Sequence, residues 1–162
     1  MKTLFVLKKS LLNAIKKFRH NLLKRRVAAA MTTVKPFLSH CQFMAMKSFC
    51  SGEEGTYYMH QFIELARRIK RMPATYEQDG TGGRAIAYLH YFWGGSDWYI
   101  MEKDMDGGVA QAFGYAVLNG DDHCAELGYI SIDELVQVGA ELDLHFPPCP
   151  LEEIKAKRQA AY

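Results

Sequence analysis

From Leu4 the apolar residues recur at steps of three and four: Leu4, Leu7, Leu11, Ile15, Phe18 and Leu22. That spacing places them on one face of a helix of about five turns. Basic residues fill most of the remaining face, and the run Ala28 to Met31 interrupts the charge pattern. Between Met31 and Gly55 no period holds, and Pro36 and Gly52 punctuate the stretch. It reads as a loosely ordered linker with a short helix over Phe43 to Phe49. From Tyr57 a helical pattern returns with Met59, Phe62, Ile63, Ala66 and Ile69, and Pro73 ends it. The cations Arg67, Arg68, Lys70 and Arg71 suit the negative end of that helix and need no ligand to explain them.

The period then changes to that of strands. Ala85 to Trp93 is rich in aromatic and branched residues, Gly94-Gly95 fits a tight hairpin, and Asp97 to Lys103 returns. Alternation puts Trp98 and Ile100 on one face and Tyr99 and Met101 on the other. Turns at Asp104 to Gly108 and Asn119 to Asp122 bracket a third strand, Val109 to Leu118; a fourth covers Ala125 to Ile130. Ser131 and Glu134 form the spacing of a capping box. A short helix follows, ending near Gly139. Leu142 to Phe146 adds an edge strand, and Pro150 starts a last helix over Leu151 to Gln159. The expected class is α+β: a meander of three to five antiparallel strands with helices packed mainly on one face, plus a basic N-terminal helical arm. The expected division is an arm over residues 1–30, a linker over 31–56 and one α+β domain over 57–162.

Charge sharpens the division. Residues 1–30 carry nine Lys/Arg and no acid, and the first acid of the chain is Glu53. From there on, nine Lys/Arg face eighteen Asp/Glu, a balance of −9. An acidic body thus carries a basic arm, and the overall +2 conceals it. The arm fits an anionic membrane surface, a nucleic-acid arm or a transit peptide. It also fits a leader, or upstream sequence with Met31 as the true first residue. The four cysteines, Cys41, Cys50, Cys124 and Cys149, form no CxxC and no disulfide framework, which favours a cytoplasmic protein with reduced thiols. No apolar run reaches the length of a membrane span.

Candidate chemistry clusters around Tyr88 to Asp104. Alternate aromatics on a hairpin pack across strands and onto a helix first, and form a binding platform second. If helices cover only one face, Tyr91 and Tyr99 lie on an open one. Asp97, Glu102, Asp104 and Asp106 gather near two turns, yet position twelve from Asp104 is Tyr115, so no EF-hand exists. His123-Cys124 with His145 and Cys149 offers zinc donors at the wrong first spacing. Cys124 with His90 or His145 offers a thiol and a base. No metal and no cofactor is expected. P-loop, GxSxG and HExxH motifs are absent.

Three segments, AIAYLHYFWGGSDWYIMEKD, QAFGYAVLNGD and AELGYISIDEL, combine Trp98 with Glu102, Phe113-Gly114, and Glu126-Leu127-Gly128-Tyr129-Ile130-Ser131 with Glu134-Leu135. Together with Leu144 to Phe146 they resemble a small bacterial domain-of-unknown-function family of plasmids, integrative elements and phages. The resemblance covers about Tyr57 to Lys155. It implies kinship with domains of large proteins of mobile elements, associated with protecting incoming DNA from host defences, and it brings no catalytic residues.

The expected function is a non-enzymatic interaction module that binds a basic host or element protein through Tyr91, Trp93, Asp97, Tyr99, Glu102 and Glu126. Charge mimicry of DNA, as counter-defence, is one form of it. The alternatives are a small hydrolase using Asp97, Glu102, Glu126 and His90 in a shared cleft, and nucleic-acid or anionic-membrane binding through residues 1–30. Gly128 is expected to permit a tight backbone. Glu126, an acid with no capping role, is the first functional candidate.

Overall fold

The computed structural model describes the backbone of residues 2–160 and the side chains of residues 11–160. Leu4, Leu7, Lys2, Lys8 and Lys9 of the arm therefore lie outside the described side chains. Helix α1 runs over Lys2–Val34, and a single 3-10 turn at Lys35–Phe37 leads to α2, His40–Phe49. Helix α3 spans Gly55–Arg71. Strands β1 (Ile86–Ala87), β2 (Leu89–Trp93), β3 (Ser96–Glu102), β4 (Ala112–Val117) and β5 (Glu126–Ile130) follow. Then come α4 (Ile132–Gln137), β6 (Glu141–Leu142), β7 (Cys149–Pro150) and α5 (Leu151–Gln159). Five strands form one antiparallel sheet in the order β5-β4-β3-β2-β6, and β1 pairs with β7 in a second, two-stranded sheet. The class is α+β, as the periodicity predicts.

Local chemistry explains the boundaries. Trp93 pairs with Ser96 across Gly94-Gly95, whose φ angles of 55° and 81° are those of a two-residue hairpin turn. Ser39 caps α2 by accepting from the Gln42 N–H, and Ser131 caps α4 by accepting from Glu134 N–H. The Lys103 ammonium donates to the carbonyls of Ile69 and Lys70 at the end of α3.

The segment expected to be a linker is not one. Val34, Phe37, Leu38, Phe43 and Met46 are all buried, in one cluster with Phe62, Leu65 and Ile69 of α3 and Leu89, Tyr91 and Ile100 of the sheet. Nor does the helix end at the expected arm boundary, residue 30: α1 continues to Val34. Val27, Ala30 and Val34 turn one face of α1 inward, and small residues there let α1 lie against α3. The period is obscured because α1 changes its apolar face between Leu22 and Leu23, ahead of this stretch.

The sheet is covered on both sides. Helices α1 to α4 pack on the face of Leu89, Tyr91 and Ile100. On the other face, Tyr99, Met101, Tyr115 and Val117 pack with Ala85, Ala87, Phe146, Leu151 and Ile154. Tyr91 and Tyr99 therefore lie on opposite faces, both buried, instead of sharing an open one. No helix among the described residues is long and apolar enough to cross a membrane.

Candidate functional site

The two edges of the main sheet are treated differently. At the β6 edge, the Gln42 amide imitates a neighbouring strand: its Nε2 donates to Leu142 O at 2.7 Å, and its Oε1 accepts from Leu142 N at 3.0 Å. At the other edge β5 pairs only with β4 among the described residues. Alternation along β5 sends Leu127 and Tyr129 to one face, where they remain 46% and 53% exposed.

That face borders a cleft of about 440 Å³. Its floor is Met101, Phe113 and Ala85, its far wall the turns from Thr75 to Gly82, and its near wall Leu127. Tyr129 stacks edge-on against Phe113 at 5.7 Å, and its hydroxyl meets that of Tyr76 at 2.6 Å. Asp79 and Glu102 are the charged lining residues; no Lys, Arg or His lines the cleft among the described residues.

Glu102 builds the far wall. Its carboxylate is buried and accepts the N–H of Tyr76 at 2.9 Å and of Gln78 at 2.5 Å. The Gln78 amide in turn donates to Ile86 O and Met101 O and accepts from Ile86 N. These bonds hold Tyr76 at φ 78°, a left-handed conformation uncommon for an aromatic residue. Glu102 is thus the anchor of a binding wall, with both carboxylate oxygens engaged by backbone N–H groups.

A second polar cluster lies on the same sheet face, at the opposite end of the strands. His90 stacks on Tyr99 with ring centroids 4.5 Å apart. Its Nε2 meets Asp97 Oδ1 at 2.8 Å and its Nδ1 meets Asp143 Oδ2 at 3.4 Å. Arg158 of α5 donates from one guanidinium nitrogen to Asp97 Oδ2 at 2.7 Å and from Nε to Asp122 Oδ1 at 2.6 Å. Burial opposes the charge on Asp97, but the His90 and Arg158 bonds outweigh it and hold this carboxyl below its usual range. Burial raises the Tyr99 hydroxyl above its ordinary value. Both His90 nitrogens face carboxylates, so the cluster is an interlocked clasp between α5 and the sheet.

The six expected partner residues therefore do not form one surface. Tyr91, Tyr99 and Glu102 are buried, and Asp97 belongs to the clasp. Trp93 is exposed at the hairpin turn, and Glu126 is exposed on β5, three strand spacings or about 14 Å across the sheet. The shared cleft of Asp97, Glu102, Glu126 and His90 does not form: Asp97 and Glu102 are five residues apart along β3, about 16 Å. An Asp121 hydrogen bond raises the Cys124 thiol, the reverse of what a nucleophile needs. Cys149 is buried in the second core. Among the described residues no group of three His, Cys, Asp or Glu side chains is assembled for a metal ion.

Of the residues that shape the cleft and its open edge, Tyr76 and Gln78 were not singled out by sequence, and Leu127 and Tyr129 entered only as motif residues with no partner-binding role. The signal for two of them was present. Leu127 and Tyr129 alternate in the last strand of a meander, where an edge position leaves one face uncovered. Phe113, Leu127 and Tyr129 also belong to the motif segments on which the family resemblance rests. No family model, no curated protein and no solved structure matches the chain.

Proposed function

We propose that the protein is a non-enzymatic interaction module that takes an extended basic and apolar polypeptide segment along the open edge of β5. The observation that carries this reading is the pairing of that edge with exposed Leu127 and Tyr129 at an acid-lined apolar cleft. A segment added as a sixth strand would satisfy the free backbone groups of β5, and alternate side chains would enter the cleft. Asp79, Glu126 and the acidic balance of the body favour Lys or Arg in the partner. This keeps the acidic, basic-partner character expected from sequence and moves the surface from the aromatic hairpin to the β4–β5 side. In the mobile-element setting that the resemblance implies, the partner is a host or element protein.

Panning a random peptide library on the full chain tests it. Enriched peptides should carry alternating apolar residues with Lys or Arg. Their affinity should fall about tenfold or more for Leu127→Lys, and should also fall with salt. Peptides that bind Leu127→Lys as tightly as the original chain would sink the cleft reading. Affinity indifferent to salt would remove the basic partner.

A further inference from the structure

Helix α1 is 33 residues long, about 50 Å, whereas α3, its main packing partner, is 17 residues, about 26 Å. The two lengths cannot match, and α1 overhangs. The residues that turn inward are half-buried Leu23 and buried Val27, Ala30 and Val34. At 100° per residue they share an arc of about 60°. Ahead of them, Leu11, Ile15, Phe18 and Leu22 are all exposed, Phe18 at 68%. They too share about 60° of arc, but its centre is about 120° away from the inward face. The apolar stripe is therefore not a continuation of the core-facing side, and no element of the described fold covers it.

The same stretch carries Lys16, Lys17, Arg19, Lys24, Arg25 and Arg26, all exposed, with no acid. Lys16, Lys17 and Lys24 lie opposite the stripe, while Arg19, Arg25 and Arg26 flank it. We propose that this overhanging half of α1 lies in the plane of an anionic bilayer surface, its Leu11–Leu22 stripe in the acyl boundary and its cations among the headgroup phosphates. Such a surface offers negative charge and an apolar layer together, which are the two things this helix face lacks. A nucleic acid would answer the charge and leave Leu11, Ile15, Phe18 and Leu22 in water. A second copy would cover the stripe and bring two acid-free cationic helices side by side.

The full chain is sedimented with vesicles of phosphatidylcholine alone and with phosphatidylglycerol added, beside Ile15→Glu/Phe18→Glu and Lys16→Glu/Lys17→Glu. These side chains are exposed, so thermal melting should match the original chain and keep the comparison clean. Binding is expected to the anionic vesicles only, weaker by about tenfold or more in each variant and reduced, not abolished, by salt. Three results would overturn the proposal: equal binding to neutral vesicles, duplex DNA binding unaffected by Ile15→Glu/Phe18→Glu without vesicle binding, or a dimer broken by that variant without vesicle binding.

Discussion

Gly114 occupies a position that admits no side chain. A Cβ built there would lie 2.3 Å from the Tyr99 carbonyl oxygen, 3.1 Å from Ile100 Cα and 3.1 Å from Ile130 Cδ1. The clash is with the backbone of the central strand and cannot be relieved by a rotamer. Gly114→Ala should cost about 3 kcal/mol or more, lowering Tm by about 10 °C. Gly128, in the neighbouring strand, has nothing within 4 Å of its Cβ position and no positive φ. Gly128→Ala should change stability by no more than about 0.5 kcal/mol, and thermal melts of the two variants check both. Sequence points to a tight backbone at Gly128 and gives no reason for Gly114, because a glycine's need depends on what faces it across the sheet. The tyrosines carry the same lesson. Alternation placed Tyr99 correctly beside Met101, but it could not reveal that α5, far along the chain, and residues 85–87 cover that face. Tyr91 is buried and donates to Phe37 O at 2.7 Å, a partner in a stretch with no legible period.

At the scale of elements, local signals were the legible ones. The last helix was bounded by Pro150, the fourth strand by its turns and the start of α4 by Ser131. What fastens α5 to the sheet was not legible, since Arg158 reaches Asp97 across 61 residues. That clasp has a pH signature. Asp97 titrates below its ordinary range in the fold, so its contribution is present above the unfolded carboxyl pKa of about 3.9 and is lost as pH falls through the folded value. Arg158 stays protonated throughout, its own pKa raised by its acidic partners over the opposing effect of burial. Asp97→Asn should therefore cost about 2 kcal/mol at neutral pH and flatten the loss of stability below about pH 4. Urea titrations at neutral and acid pH decide it. Equal acid sensitivity in the two chains would mean that Asp97 is not a linked group.

For the whole molecule, the boundary between arm and body falls inside one helix. The charge pattern suggested a division at Ala30, yet Val27 and Ala30 belong to the packed side of α1, and the exposed stripe ends at Leu22. Deleting residues 1–22 removes exposed side chains from the described part and keeps the contact with α3. Deleting residues 1–30 also removes Val27 and Ala30, and with them about 3 kcal/mol of apolar burial. At about 2–4 °C per kcal/mol for a chain of this size, the shorter deletion should leave Tm within a few degrees, and the longer one should lower it by about 6–12 °C. The same pair of chains separates the two binding surfaces. The 1–22 deletion should lose anionic vesicles and keep the β5-edge peptides, because the cleft lies across the sheet from α1 and shares no residue with it. If both activities left together with the fold intact, the overhang and the cleft would have to be parts of a single surface. If Tm already fell on removing residues 1–22, the overhanging half of α1 would be holding the body together.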